Sequence, residues 1–219
     1  MTNISYTRVR AVFFDVAHTL LYKPDLYITI SKVLESHHLL VDLNKLILVH
    51  KLYSETVEFP DKTSTEFYQK FNREFLYLLG IIPTPKMLDE IFQACHSLQW
   101  TKYEDTSILE VIKQPIGILS NWDVSLERNL ICNFDVRFRW IIGSQKEKIK
   151  KPETLFFQKI LDITGLKPSN ILYVGDSVKL DIEPALKLGM NTFLIDRYNW
   201  YSGSNISRLT SLMELSRYL

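Results

Sequence analysis

The chain is 219 residues long, 46% hydrophobic and 23% charged, with 7 Gly and 8 Pro, which excludes a disordered chain and allows one core of ordinary size or a core carrying a smaller inserted domain. Its 26 basic and 25 acidic side chains leave a formal net charge of +1, so no bulk attraction to nucleic acid or to an anionic membrane is expected. No run of about 18 apolar residues occurs, and Met1 to Arg10 is polar and lacks the apolar segment of a signal peptide; the protein is expected to be cytoplasmic.

Ala11 to Phe14 is a short β-branched and aromatic run, the pattern of a strand buried on both faces. It stops on Asp15, which places that carboxylate at the carboxyl edge of a sheet, where ligands bind in open α/β folds. Taken alone, such an Asp reads equally as the cap of the next turn. Tyr22-Lys23-Pro24-Asp25 then breaks the run, with Asp25 placed to cap a helix.

From there to about Trp100 the apolar residues keep helical spacing: Leu26, Ile30, Val33 and Leu34; Leu46, His50 and Tyr53; Phe67, Phe71, Phe75 and Leu78; Leu88, Ile91, Phe92 and Cys95. Breaks fall at Leu40-Val41-Asp42, at Pro60 to Thr63, and between Gly80 and Pro85. The pattern predicts an all-α domain over 22–100, inserted into a second domain made of 1–21 and 101–219.

After Ser107 strands and helices alternate. A helix over Ile108 to Lys113 leads into a buried strand, Ile116 to Leu119, ending on Ser120 and Asn121; Asp123 is placed to cap a helix through Cys132. Trp140 to Gly143 is a third strand, followed by a basic loop and a helix opened by Pro152-Glu153. Ile171 to Val174 is a fourth strand, Asp181 to Leu188 a helix closed by Gly189, and Thr192 to Ile195 a fifth strand. This alternation argues a Rossmann-like α/β core with a parallel sheet, plus the small helical domain. Cys95 and Cys132 have neither metal-type nor disulfide spacing and are expected to be buried structural thiols.

Polar groups stand at the strand ends: Asp15 and Thr19, Ser120 and Asn121, Lys151 before a helix, and Asp176 with Asp181. Two carboxylates across a strand end and a helix start repel unless a cation joins them, and hard oxygens suit magnesium. On that reading Asp15 is a nucleophile, Lys151 and the metal neutralise a transferring phosphoryl group, and Thr19 and Ser120 hold its oxygens. Plainer readings remain: Thr19 and Ser120 as turn residues, Lys151 as a solvated charge beside Lys146, Lys148 and Lys150, and Asp181 as a helix cap.

Together these stretches resemble the four motifs of the haloacid dehalogenase-like superfamily of hydrolases: Phe13-Phe14-Asp15-Val16-Ala17-His18-Thr19-Leu20, Ile118-Leu119-Ser120-Asn121, Lys151-Pro152-Glu153, and Val174-Gly175-Asp176-Ser177-Val178-Lys179-Leu180-Asp181. The resemblance covers about Arg10 to Ile195. It implies a helical cap inserted after the first motif, Asp15 as nucleophile and Lys151 as the charge-stabilising lysine. It also implies Mg2+ held by Asp15, Asp176, Asp181 and the backbone carbonyl of Ala17, and a small phosphorylated molecule as partner. Asn121, His18 and Lys23 are the candidates for substrate binding, with Tyr22 and Trp122 near the same motifs.

The chain departs from the family's phosphatases at Ala17 and His18, where they usually carry a second Asp and then Gly. That second carboxyl protonates the leaving alcohol and activates the hydrolytic water, a role worth about two to four orders of magnitude. Three readings follow. The leaving group needs no proton, or His18 replaces the acid; the chemistry is of the phosphonatase or dehalogenase type, with Lys45 or Lys51 as the Schiff-base lysine in the former; or the chain binds a phosphorylated ligand or partner without turnover. The acidic pair argues against the dehalogenases, which need no magnesium. No heptad seam fixes an oligomeric state.

Overall fold

The computed structural model describes residues 9–219; the polar amino-terminal segment lies, through residue 8, outside them. Two units divide the chain, one ending at Tyr22 and resuming at Lys102, the other running from Lys23 to Thr101.

The second unit is helical: α1 (Leu26–Ser36), α2 (Leu43–Ser54), α3 (Thr65–Leu78) and α4 (Pro85–Cys95). Its core gathers Ile30, Leu34, Leu46, Phe71, Phe75, Leu76, Met87, Leu88 and Ile91, a stripe at the spacing of one helix face on each element. Side-chain caps define three of the four starts, with Asp42, Ser64 and Thr84 accepting from Lys45, Phe67 and Met87 amides. Asp25 stands before α1 but makes no side-chain cap, because its backbone is already helical (φ −87°, ψ −2°). Near the end of α3 the inward residues are Phe75, Leu76 and the C-cap Leu79, whereas Leu78 is 57% exposed; continuing four residues from Phe75 reaches Leu79.

The first unit is built on β1 (Ala11–Phe14), β4 (Ile116–Ser120), β5 (Phe138–Gly143), β6 (Ile171–Gly175), β7 (Asn191–Ile195) and β8 (Arg208–Leu209), while β2 (Leu21–Tyr22) and β3 (Thr101–Lys102) form a separate small sheet. The six strands run parallel in the order β5-β4-β1-β6-β7-β8. Every residue of β1 is fully buried. Ala11 and Phe13 join a core with Leu119, Ile142, Phe156, Phe157 and Tyr173, and Val12 and Phe14 alternate to the opposite face. Gly117 lets this sheet close: a Cβ there would lie 2.2 Å from a Phe13 ring carbon, and that ring stacks on Trp140 at 5.5 Å. From β1 the chain adds β4 and β5 on one side and then returns to β6 on the other. This reversal sets the carboxyl ends of β4, β1 and β6 side by side, the position of a ligand crevice.

Four helices flank the strands in sequence: α5 (Leu126–Asn133), α6 (Ser144–Glu147), α7 (Thr154–Thr164) and α8 (Glu183–Lys187). Several boundaries differ from expectation. The segment expected as a helix over 108–113 is a 3-10 helix, Glu104–Glu110, that buries Thr106, Ile108 and Leu109. Asp123 does not cap α5; its carboxylate closes a turn by accepting from Ser125 N at 2.8 Å. Pro152 precedes α7, whose N-cap is Glu153, and a short helix, α6, occupies the start of the basic loop. The helix expected from Asp181 is a π-turn, Val178–Ile182, followed by α8. Pro184 has no N–H to continue an α ladder back to Leu180, so the chain rewinds there. Cys132 is exposed and Cys95 half-buried, correcting their expected burial; Cys132 lies opposite the inward residues Leu126 and Leu130 of α5. Among the described residues no helix is long and apolar enough to cross a membrane.

Candidate functional site

Asp15 follows the last residue of β1 and is 5% exposed. Its backbone N–H donates to Val174 O on β6 at 2.9 Å, which fixes the residue at the sheet edge. The carboxylate is gripped by three donors. Ser120 Oγ, at the end of β4, donates to Oδ1 at 3.0 Å, Lys151 Nζ to the same oxygen at 2.5 Å, and Thr19 Oγ1 to Oδ2 at 3.2 Å. Thr19 and Ser120 are therefore more than turn residues.

Lys151 is 3% exposed, which rules out a solvated charge. Its ammonium also donates to Asp181 Oδ1 at 2.7 Å. The lysine backbone is held by Asn121, whose Nδ2 donates to Lys151 O at 3.1 Å and whose Oδ1 accepts from Lys151 N at 2.8 Å. The Asn121 amide, expected at the substrate, thus joins the end of β4 to the turn before α7.

Asp181 is 1% exposed and sits in the π-turn after β6. Its Oδ2 accepts from Ser177 N at 3.0 Å, and its Oδ1 from the Tyr173 hydroxyl at 3.0 Å. Gly175 is required by this approach: a Cβ there would stand 2.3 Å from Asp181 Cγ. Asp176, half-buried, completes a triad in which Asp15, Asp176 and Asp181 each offer an oxygen within 4.8 Å of the others. Three carboxylates against one ammonium leave an excess of two negative charges in a largely buried volume, and the donors are all hard oxygens. That set fits a divalent cation such as Mg2+.

The electrostatics record the same excess. Burial pushes the Asp181 carboxyl up to about 6, with Lys151 pulling it down and Asp15 and Asp176 raising it further. Burial by itself lowers Lys151, but the carboxylates of Asp15 and Asp181 outweigh it and leave the ammonium above its ordinary range. Tyr173 is pushed well upward by burial and then by Asp181 and Asp15, so it stays a neutral hydroxyl.

The loop from Val16 to Leu21 is closed by Leu20 N and Leu21 N donating to Val16 O, both at 2.9 Å, and His18 N donating to Leu21 O at 2.7 Å. Its ladder leaves out the Ala17 carbonyl. His18 takes the left-handed conformation, φ 60°. Lys23 belongs to the helical unit, where its half-buried ammonium lies over the Trp100 ring at 5.4 Å and burial lowers its pKa against the influence of Cys95.

Tyr173, Gly175 and Ser177 also support Asp181, beyond the residues expected at the site. The sequence signal for Tyr173 is a tyrosine in an otherwise aliphatic strand, Ile171 to Val174: a polar tip on a buried strand needs a partner.

A family model described as haloacid dehalogenase-like hydrolase matches residues 14–195. The chain is 30% identical over 82 residues to haloacid dehalogenase-like hydrolase domain-containing protein 3 of Danio rerio, covering 37% of this chain and 34% of that one, so it spans about a third of that relative's length. It is 25% identical over 230 residues to the glyceraldehyde 3-phosphate phosphatase of Pyrococcus furiosus, covering 95% and 93% of the two chains. Its fold is that of L-2-haloacid dehalogenase from Xanthobacter autotrophicus, with a TM-score of 0.65 at 17% identity over 95% of this chain and 97% of that one.

Proposed function

The chain belongs to the haloacid dehalogenase-like hydrolases, and we propose that it is a magnesium-dependent phosphohydrolase acting on a small phosphorylated molecule whose leaving group departs without a proton. The observation that carries this reading is the charge balance at Asp15: the buried triad exceeds Lys151 by two negative charges. A dehalogenase, which neutralises no phosphoryl group, has no need of that excess. The name of the Pyrococcus furiosus relative, a phosphatase, supports the same class.

On this reading Asp15 attacks phosphorus, forming an aspartyl-phosphate as the bond to the leaving group breaks and that group takes the electron pair. Water then hydrolyses the acyl phosphate and restores the carboxylate. Lys151, which donates to Asp15 Oδ1, would neutralise charge there, and the hydroxyls of Ser120 and Thr19, which donate to Oδ1 and Oδ2 of Asp15, would hold phosphoryl oxygens. Asp15, Asp176, Asp181 and the Ala17 carbonyl would hold Mg2+, which would supply positive charge to offset that of the phosphoryl oxygens. Ala17 has no group to protonate an alcohol or activate water. Acyl phosphates and aryl phosphates, whose leaving groups are stable anions, are therefore the expected substrates, and loss of phosphate from Asp15 is the expected slow step.

The test is hydrolysis of acetyl phosphate and an aryl phosphate with Mg2+. Wild type should turn over both, Asp15→Asn neither, and Ala17→Asp should add activity on alkyl phosphates, by about two orders of magnitude or more. A silent wild type beside an active Ala17→Asp would instead assign the chain to binding without turnover.

A further inference from the structure

Arg197 lies beyond β7, and four of its N–H donors are used on one structural task. Nε and Nη2 fork onto the two oxygens of Asp105 at 3.0 and 2.8 Å. Nη1 donates to His18 O at 3.0 Å and Nη2 to Thr19 O at 2.9 Å. The guanidinium also lies 3.7 Å from the centre of the Tyr103 ring. Asp105 in turn accepts from Leu212 N at 3.0 Å, so the pair ties the end of the chain to the loop that follows the nucleophile.

That loop needs holding. His18 is a non-glycine residue at φ 60°, a conformation that is disfavoured for L residues and persists only when neighbours enforce it. Its carbonyl and the next one are the two that Arg197 grips. Thr19, whose hydroxyl donates to Asp15 Oδ2, sits on the same peptide segment, and so does Ala17. A planar fork that reads two carbonyls and a carboxylate at once has a geometry that lysine cannot reproduce.

We infer that Arg197, braced by Asp105, is a positioning residue: it holds the His18-Thr19 turn in its left-handed form and so sets the Thr19 hydroxyl against Asp15. The catalytic part of this inference rests on the hydrolase reading; the positioning part does not. Neither Arg197 nor Asp105 meets substrate on this account.

Two readouts on the full chain separate these parts. Hydrogen exchange at Leu20 and Leu21, whose N–H groups close the loop, should accelerate about tenfold or more in Arg197→Lys while exchange in β6 is unchanged. Turnover of acetyl phosphate and of an aryl phosphate should fall by the same factor, about 10- to 100-fold in kcat, with KM little changed. The double variant Arg197→Lys with Thr19→Val should be no worse than Thr19→Val alone, because both act through one contact. Asp105→Asn, which keeps the arginine, should give the same pattern more weakly and serves if Arg197→Lys does not fold. Unchanged exchange at Leu20 and Leu21 would overturn the inference whatever the activity. Accelerated exchange in a chain whose wild type shows no turnover would sink the hydrolase reading and leave the positioning role standing.

Discussion

Two ion-pair clusters in the strand-built unit use similar residues to opposite ends. At Arg197 one guanidinium meets one carboxylate, Asp105, in a bidentate fork, and the remaining donors go to backbone carbonyls. At Lys151 one ammonium stands between two carboxylates, Asp15 and Asp181, with Asp176 nearby. The first cluster is balanced and has nothing further to attract. The second is left with an excess of like charge that burial makes unfavourable, and proteins keep such an arrangement where a ligand or cation completes it. Balance marks a brace, and imbalance marks a site.

The severest way to break the contrast is to remove the single cation of the unbalanced cluster. Lys151→Met leaves Asp15 and Asp181 buried without a counter-charge and should lower stability at pH 8 by about 3–5 kcal/mol, the range for stripping one partner from a buried pair. Hydrolysis should vanish with it. Because the Asp181 carboxyl is already raised and can take up a proton, part of the stability should return by pH 5; chemical denaturation at the two pH values checks this, and an equal loss at both would deny that charge excess is the cause.

A milder change sharpens the contrast by relieving the excess. The Asp181 carboxyl is raised to about 6 in the folded protein, above its ordinary value. A group raised in this way contributes stability that is present below its unfolded pKa and lost as pH rises through the folded value. In the metal-free wild type, stability should therefore decline between about pH 4 and pH 6, by on the order of 3 kcal/mol from this group. Asp181→Asn should flatten that decline and be the more stable protein at pH 7 in a chelator, while losing Mg2+-dependent stabilisation. Equal pH slopes in the two proteins would contradict the assignment.

Much of this was legible in the sequence, and the reasons are local. Phe14-Asp15 and Gly175-Asp176 mark strand ends because apolar runs stop abruptly on carboxylates, and the helical unit declares itself through the spacing of Ile30, Phe71, Phe75 and Ile91. What stayed hidden depends on contacts far apart in the chain. Nothing at Arg197 or Asp105 shows that they meet across 92 residues, and Asn121 reads as a substrate ligand until its amide is found on the Lys151 backbone. The π-turn at Val178–Ile182 likewise follows from Pro184 and the crowding at Gly175, which aim Asp181 back toward Lys151.

The smallest expected effect comes from the balanced cluster. Asp105→Asn should lower stability by about 1–2 kcal/mol, since the fork loses its charge assistance while an amide oxygen still accepts one bond. The pair is largely buried, with the two side chains 17% and 14% exposed, so high salt should not erase the difference as it does for a surface pair. The decline in stability between pH 4 and pH 6 should be the same as in wild type, because the Asp181 environment is untouched. Denaturation of both proteins in chelator across that range measures both quantities. A changed slope would mean that the two clusters share their charge, and the division between brace and site would fail.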